Sequence, residues 1–353
     1  MNKFITFILF LLIIVVGCKK HDQNKTIDPN STVSISSLTT TSNTTVIIGD
    51  SFLGGTGSSY YQLGLGWLLQ RSILNAANKN LSPKKGTGYP VFINMYELFF
   101  ANFGASTTGT LIAAGSTNSR LKLTAGQSIS ITNVSINYAD IIYNSSASSG
   151  SVQISINGNT VKTKALSGTG LQNTFDGSPI TQFQQLTKTT DIIVITATAN
   201  VEIAGLEIWS NITSSPFIYT LSKGGTGVQD WNTPDAMDEI AFYLNNPAVA
   251  KNAPKFLGIA LGTNTLYYAP KSLTPSAYIT ALQTFITGIN SRATNVQYII
   301  TVPAKANESV FPIIAAGYTY QDYVKAIVDF ATTNGYALVR YDLTQMGTGN
   351  TAY

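Results

Sequence analysis

Charged residues, cysteine and histidine are all scarce in this sequence. Only 11% of the 353 residues are charged, against roughly 25% in an average soluble protein, and the formal net charge is +4. No run of Lys and Arg residues occurs, which argues against nucleic acid as a partner. The one cysteine, Cys18, excludes an intrachain disulfide and argues against a cysteine-based metal site. We therefore expect no metal and no cofactor, and the hydroxyl-rich composition favours an extracytoplasmic protein.

The N-terminal segment is typical of an export signal. Lys3 precedes an apolar run over residues 4–16, which is too short for a comfortable transmembrane helix. Val15-Val16-Gly17-Cys18 then resembles a lipobox, the motif at which bacterial lipoproteins are cleaved and acylated. We predict a lipoprotein signal peptide over residues 1–18, lipid attachment at Cys18, and a flexible polar tether over residues 19–43. The expected location is the cell envelope outside the cytoplasm, at the outer membrane or cell surface. The alternative is an ordinary secretory signal peptide with an incidental cysteine.

Strands and helices alternate over residues 44–117 and 214–353, which we assign to the two parts of one α/β domain. Short apolar runs predict strands at residues 46–48, 256–261, 296–302 and 336–341. Helical spacing predicts helices at residues 63–78, 234–244, 275–292 and 320–332, with Thr274 placed to cap the third. This alternation implies right-handed crossovers and a parallel sheet covered by helices.

Residues 118–213 have a different pattern. Alternating runs such as Ser128–Ile131 and Val152–Ile156 are separated by turn signals, and Asn157-Gly158-Asn159 predicts a hairpin. No helical pattern of useful length interrupts this stretch. We therefore predict an all-β sandwich of jelly-roll type that is inserted into the α/β domain.

Three predicted strands end in short polar loops. The first leads into Gly49-Asp50-Ser51, the apolar stretch 217–221 leads into Ser222–Trp231, and the next strand leads into Gly262-Thr263-Asn264. Open α/β sheets bind their ligands at the carboxyl ends of strands, where a serine and nearby backbone N–H groups can act on a carbonyl. Gly-Asp-Ser alone is most often a polar turn, but three such loops in this order are a more specific signal.

In this order the loops resemble blocks I, II and III of the SGNH hydrolases, the GDSL-type esterases. The resemblance covers about residues 44–115 and 216–353, and some members of that family carry a jelly-roll between blocks I and II. It implies a flavodoxin-like, three-layer α/β fold in which a parallel sheet lies between helices.

The resemblance also implies a role for each loop. Ser51 would be the nucleophile, and its N–H group, the N–H group of Gly227 and the side-chain amide of Asn264 would form the oxyanion hole. Gly224 or Gly225 remains an alternative donor to Gly227, because this loop is rich in glycine. Supporting positions are Gly49, Asp50 and Gly262.

The sequence departs from the family pattern in three places. Ser222 stands where block II usually begins with Asn, and Thr265 stands where Asp is frequent. Block V, an Asp-x-x-His segment that supplies the general base, is absent. The one histidine is His21, in the tether, where a solvated linker residue is the ordinary interpretation.

No carboxylate replaces this histidine convincingly. Asp342, Asp322 and Glu308 lie in the C-terminal part of the sequence, but nothing in their context indicates a base with a pKa near neutrality. Two hypotheses follow: a sequence truncated before block V, or a degenerate homologue without catalysis. The joint presence of Ser51, Gly227 and Asn264 favours truncation.

The sequence therefore predicts a carboxylic ester hydrolase that removes small acyl groups through a Ser51 acyl-enzyme. We expect its partners to be an ester substrate such as an acylated glycan or another envelope compound, and the membrane through the lipid on Cys18. One alternative is a surface glycan-binding lipoprotein without catalysis, and another is a lipase for long acyl chains. The β insert is expected either to bind glycan or to form a structural lid that shapes the cleft.

Overall fold

The computed structural model describes residues 44–50, 91–95, 105–113, 120–131, 138–173, 192–209, 217–245, 255–303, 305, 309 and 312–340. The strands are β1 (Thr44–Gly49), β2 (Val91–Asn94), β3 (Ala105–Thr107), β4 (Thr110–Ile112), β5 (Arg120–Leu123), β6 (Ser128–Ile131), β7 (Tyr138–Asn144), β8 (Ser151–Ile156), β9 (Asn159–Ala165), β10 (Leu171–Asn173), β11 (Ile193–Ala197), β12 (Val201–Trp209), β13 (Phe217–Ser222), β14 (Lys255–Ala260), β15 (Val296–Val302) and β16 (Ala337–Arg340). The helices are α1 (Pro234–Leu244), α2 (Thr263–Tyr267), α3 (Pro275–Asn290) and α4 (Tyr320–Asn334).

Five parallel strands form the central sheet, in the order β13-β1-β14-β15-β16. Along the chain these are the second, first, third, fourth and fifth strands of the sheet, which is the flavodoxin-like order. Helix α1 packs on β1 and β14, α4 packs on β15 and β16, and α3 packs between α1 and α4. The three long helices therefore cover one face of the sheet. The predicted α/β fold is confirmed.

Local sequence explains why these elements form. All six residues of β1 are buried, as expected for a central strand of a parallel sheet. In α3, Pro275 occupies the first turn and Thr274 Oγ1 accepts a hydrogen bond from Ala277 N at 3.3 Å, so the predicted cap is confirmed. The buried positions of α3 recur at helical spacing and form one apolar face toward the core; they are Tyr278, Leu282, Phe285, Ile286 and Ile289.

Two antiparallel sheets form the predicted β-sandwich. One has the order β10-β7-β12-β5-β4, with β2 also paired to β12, and the other has the order β3-β6-β11-β8-β9. Their facing side chains form a second core, which includes Leu121, Ile129, Ile141, Ile154, Ile195 and Ile203. The predicted hairpin is also confirmed: Asn157 and Gly158 join β8 to β9 with φ of 49° and 84°, the positive values that a tight two-residue turn requires.

The sandwich takes strands from further upstream than the sequence pattern indicated. Strands β2, β3 and β4 belong to the antiparallel sheets, although they precede residue 118, where the pattern placed the start of the insert. Each is only three or four residues long, which is too short for alternation to show.

The sheet that contains β7 and β12 contributes to both cores. Ile141 lies in the sandwich core, whereas its neighbour Ile142 lies in the core of the parallel sheet. In β12, Ile203 faces the sandwich and Ala204 faces the other core, at a point where the pairing with β7 is irregular. The two parts of the molecule are therefore packed together through one shared sheet.

A buried ionic network lies at this junction. Arg120 of β5 contacts Glu202 of β12 at 2.8 Å and Glu239 of α1 at 3.1 Å. Asn144 Nδ2 and Tyr243 Oη complete it, donating to Glu202 and Glu239 at 3.1 and 3.0 Å. Burial lowers the pKa of Arg120, but the two carboxylates more than offset this and the pKa lies above its usual value.

Candidate functional site

The loops singled out in the sequence meet at one edge of the parallel sheet. Gly49, the last residue of β1, is in register with Ser222 of β13 on one side and Ala260 of β14 on the other. The N–H group of Lys223 continues this pairing and donates to the carbonyl of Gly49 at 3.1 Å. In the flavodoxin-like order, the topological switch point lies between the first and third strands, here β1 and β14, where such sheets bind ligands.

The described residues include only part of the first loop. Gly49 and Asp50 are present, and Asp50 is 1% exposed. The predicted nucleophile Ser51 lies outside the described residues, as do Cys18, His21, Glu308 and Asp342. Asp322 is described and caps α4, where it accepts hydrogen bonds from the N–H and hydroxyl groups of Thr319.

The second loop turns sharply after β13. Gly225 has φ of 75°, a value that glycine adopts without steric cost. The hydroxyl of Thr226 donates to the carbonyl of Lys223 at 2.8 Å and closes the turn. Gly227 then precedes a single turn of 3₁₀ helix over residues 228–231. The second loop is therefore a compact turn rather than an extended segment.

The third loop depends on the glycine that precedes α2. Gly262 has φ of 135°, and a Cβ atom there would lie 3.0 Å from Pro303 Cγ and 3.3 Å from Tyr278 Oη. The same hydroxyl of Tyr278 donates to the carbonyl of Leu261 at 2.9 Å. Burial, and secondarily the carboxylate of Asp50, raises the pKa of Tyr278 above its usual value, so Tyr278 remains a neutral donor.

Asn264 joins the second and third loops. Its Nδ2 atom donates to the carbonyl of Thr226 at 2.9 Å. The two predicted oxyanion-hole residues, Gly227 and Asn264, are thus brought to adjacent positions, because Thr226 and Gly227 share a peptide bond. The N–H group of Gly227, however, donates to Asp230 Oδ2 at 2.8 Å. In this structure it is bonded within the protein rather than open to a substrate.

Asp230 is the centre of a charged cluster that the sequence patterns did not indicate. Its Oδ1 atom lies 2.5 Å from the ammonium of Lys271. Gln229 Nε2 donates to the carbonyl of Lys271 at 3.1 Å and ties the two segments together. Lys223 is half-buried nearby, and its pKa lies below the usual value. Burial is the main cause and the charge of Lys271 adds to it, whereas the charge of Asp230 opposes it. The one available signal was an Asp three residues after Gly227, the spacing of a capping box.

The two substituted positions among the departures from the family pattern are both buried. Ser222 and Thr265 are fully buried, and Thr265 Oγ1 has no hydrogen-bond partner among the described residues. Across the described part of the chain, no group of three His, Cys, Asp or Glu side chains is arranged to hold a metal ion. No helix within the same ranges is long and apolar enough to span a membrane.

Comparison with known proteins rests on structure. No family model matches the sequence, and no curated protein matches it either. A solved structure of a peptidoglycan O-acetylesterase aligns with a TM-score of 0.53 and 13% identity, covering 87% of this chain and 81% of that one. The chain therefore has the SGNH-hydrolase fold with a β-sandwich insert.

Two further solved structures resemble the chain more weakly. A family two carbohydrate esterase from Cellvibrio japonicus aligns with a TM-score of 0.25 and 11% identity, over 72% of this chain and 89% of that one. A family 35 carbohydrate binding module from Clostridium thermocellum aligns with a TM-score of 0.25 and 16% identity, over 35% of this chain and 98% of that one. Neither value is high enough to support a conclusion about this chain.

Proposed function

We propose that this protein is a serine esterase that removes small acyl groups from carbohydrate or other cell-envelope esters. The observation that carries this function is the hydrogen bond from Asn264 to the Thr226 carbonyl. It joins the second and third loops at the carboxyl ends of β13 and β14, on either side of β1, which ends at Gly49 and leads into Asp50. The resemblance of these loops to the three SGNH blocks assigns the nucleophile to the next residue, Ser51.

In this mechanism Ser51 Oγ attacks the ester carbonyl carbon, and its proton passes to a water molecule, because no side chain of this sequence is assigned as the base. The C–O bond to the alcohol breaks, the alcohol leaves protonated, and water then hydrolyses the acyl-serine to release a carboxylic acid. Asn264 would stabilise the tetrahedral oxyanion with a donor that carries no formal charge. The 353 residues contain one histidine, His21, so we expect slow turnover from this chain and treat covalent labelling as the more sensitive readout.

Covalent labelling tests the nucleophile directly. Purified protein from the natural gene should react with a serine-directed fluorophosphonate and should release p-nitrophenol from p-nitrophenyl acetate. Both reactions should disappear in Ser51→Ala and persist in Ser58→Ala, the matched control from the same stretch of sequence. Labelling of Ser51→Ala at the wild-type rate, or no labelling of the wild type, would contradict the esterase function.

The envelope substrate class has independent support. The composition favours an extracytoplasmic protein, and the solved structure with the TM-score of 0.53 is that of a peptidoglycan O-acetylesterase. We therefore expect acetate release from O-acetylated peptidoglycan to exceed release from a long-chain acyl ester at equal ester concentration. A preference for the long chain would instead favour a lipase.

A non-catalytic glycan-binding function is the second candidate. The bond from Gly227 N–H to Asp230 favours it, because this N–H group is not open to a substrate oxygen. Under this function the protein would bind glycan fragments in calorimetry, and Ser51 would stay unlabelled. Labelling of Ser51 by the fluorophosphonate would exclude it.

We further propose that the chain is held in the cell envelope by lipid on Cys18. The lipobox-like segment Val15–Cys18 supports this, and the segment lies outside the described residues. Cells fed an alkyne-labelled palmitate should incorporate it into the wild type and not into Cys18→Ser. Incorporation into Cys18→Ser would place the lipid elsewhere.

A further inference from the structure

The peptide between Thr226 and Gly227 points its two polar groups in opposite directions. Its carbonyl accepts from Asn264 Nδ2 at 2.9 Å, and its N–H group donates to Asp230 Oδ2 at 2.8 Å. The described residues contain no cis peptide bond, and in a planar trans peptide the C=O and N–H bonds are antiparallel. The N–H group of Gly227 is therefore directed away from the amide of Asn264.

An oxyanion hole requires the opposite arrangement. Its donors must converge on one oxygen, at about 2.7–3.1 Å from each donor. With the peptide as it stands, Asn264 and Gly227 cannot both donate to the same substrate oxygen. One of the two N–H bonds of the Asn264 amide is also engaged, since it donates to the carbonyl of this peptide.

Asp230 stabilises the present orientation. One carboxylate oxygen accepts from Gly227 N–H, and the other lies 2.5 Å from Lys271 Nζ. A carboxylate accepts a stronger hydrogen bond from an amide than a neutral oxygen does. Lys271 is itself tied to the neighbouring Gln229 through its carbonyl, so Asp230 is held from both sides.

Glycine at position 227 leaves a second orientation accessible. Gly227 now has φ of −107°. Turning the peptide plane by half a revolution moves this angle into the left-handed region, which glycine enters without steric cost and other residues do not. The same rotation removes the Thr226 carbonyl from Asn264, so a single movement releases the Gly227 N–H group and the N–H bond of Asn264 that this carbonyl accepts.

We propose that Asp230 is a positioning residue that holds the Thr226–Gly227 peptide turned away, and that substrate binding turns this peptide to complete the oxyanion hole. This role rests on the proposed esterase function, since the rotated peptide has a use only where an acyl oxygen becomes negatively charged. Asp230 acts through Gly227 and does not contact the reacting atoms.

Two substitutions at this pair test the role in opposite directions. Asp230→Asn keeps the shape of the side chain and removes its charge, so kcat for p-nitrophenyl acetate should rise about tenfold while KM changes little. In Gly227→Ala the present φ is allowed once the Gln229 amide shifts, because a Cβ there would lie 2.5 Å from Gln229 Oε1. The rotated φ is resisted, so kcat should fall about tenfold or more. Asp238→Asn, on an exposed residue of α1 that pairs with Arg292, should leave both constants unchanged.

The double variant separates positioning from a structural role. If Asp230→Asn raises kcat by releasing the peptide, Gly227→Ala should abolish that gain. The double variant should then have the same kcat as Gly227→Ala alone. A role in folding would instead lower kcat and the melting temperature of Asp230→Asn together. An unchanged or lower kcat in Asp230→Asn overturns the positioning role.

Amide hydrogen exchange tests the hold on the peptide without measuring enzyme activity. In the full chain the Gly227 N–H group should exchange slowly, and Asp230→Asn should accelerate its exchange at least about tenfold. If Ser51 is not labelled in any variant but this exchange changes as stated, the esterase function fails and the hold on the peptide stands. If exchange at Gly227 is the same in both proteins, the hold by Asp230 is excluded.

Discussion

Asn264 is the side chain on which most of the proposed chemistry depends. Replacing it with alanine removes an uncharged donor from the site, and we expect the rate of fluorophosphonate labelling to fall by about 100- to 1000-fold. Asn245→Ala is the matched control. Asn245 lies at the end of α1, and its side-chain amide donates a hydrogen bond to the carbonyl of Arg292. Equal labelling rates for the two variants would remove Asn264 from the mechanism.

Gly262 is expected to contribute to the stability of the fold. Alanine there would suffer both the positive φ of 135° and close contacts with Pro303 and Tyr278. Gly126 has a positive φ of 81° with open space around it, so Gly126→Ala measures the backbone cost alone. We expect Gly262→Ala to lower the free energy of unfolding by about 1–3 kcal/mol more than Gly126→Ala, measured by urea denaturation. Equal losses would show that the contacts around Gly262 relax freely.

The proximity of the three loops was predictable from the sequence, but the orientation of the Thr226–Gly227 peptide was not. The end positions of β1, β13 and β14 follow from apolar runs that stop at Gly49, Ser222 and Gly262. The loops that carry Gly49, Gly227 and Asn264 were therefore expected at one edge. The orientation of the Thr226–Gly227 peptide depends on an acceptor for its N–H group, Asp230, and on a donor to its carbonyl, Asn264. No periodicity in the sequence records these two hydrogen bonds.

At the scale of elements, α4 carries a pH-dependent cap. Hydrogen bonds from the N–H and hydroxyl groups of Thr319 hold the pKa of Asp322 below its usual range. A depressed carboxyl pKa stabilises the fold above the unfolded-state pKa, and this stabilisation is lost as the pH falls through the folded-state pKa. Asp322→Asn should therefore lower the melting temperature at pH 7, and the difference from wild type should shrink in acid.

A neighbouring carboxylate provides the control for this cap. Asp329 pairs with Lys325 on the exposed side of the same helix, and such surface pairs contribute little. Asp329→Asn should shift the melting temperature less than Asp322→Asn at pH 7. A difference between Asp322→Asn and wild type that stays constant from pH 7 into acid would contradict the assigned cap.

The long elements were predicted well because length makes periodicity visible. Helix α1 and strand β15 have the predicted bounds, and α3 and α4 differ from prediction by two residues at one end. Strands β3 and β4 and helix α2 were missed, since three to five residues complete neither pattern. Strands β3 and β4 are held by pairing with β6 and β5, which no pattern within three residues could show.

At the scale of the whole molecule, Arg120 holds two carboxylates together at the junction. Arg120→Met would leave Glu202 and Glu239 buried without their cation, and we expect a loss of about 3–5 kcal/mol in unfolding free energy. The triple variant Arg120→Met, Glu202→Gln, Glu239→Gln removes the unpaired charges and should recover part of this loss. Denaturant titrations of the three proteins measure both effects, and a triple variant less stable than Arg120→Met would contradict the account.

The shared sheet also has a consequence for the order in which the protein folds. Strand β1 precedes the sandwich in the chain, but its two partners, β13 and β14, follow the whole sandwich. The sandwich has a core of its own and can fold first, and its residues Ile142 and Ala204 are then available to pack in the core of the parallel sheet. If the chain folds from its N-terminus, the apolar β1 segment has neither of its sheet partners until β13 is present. Slow folding of the sandwich would therefore reduce the yield of the parallel sheet, although the sandwich contributes no strand to that sheet.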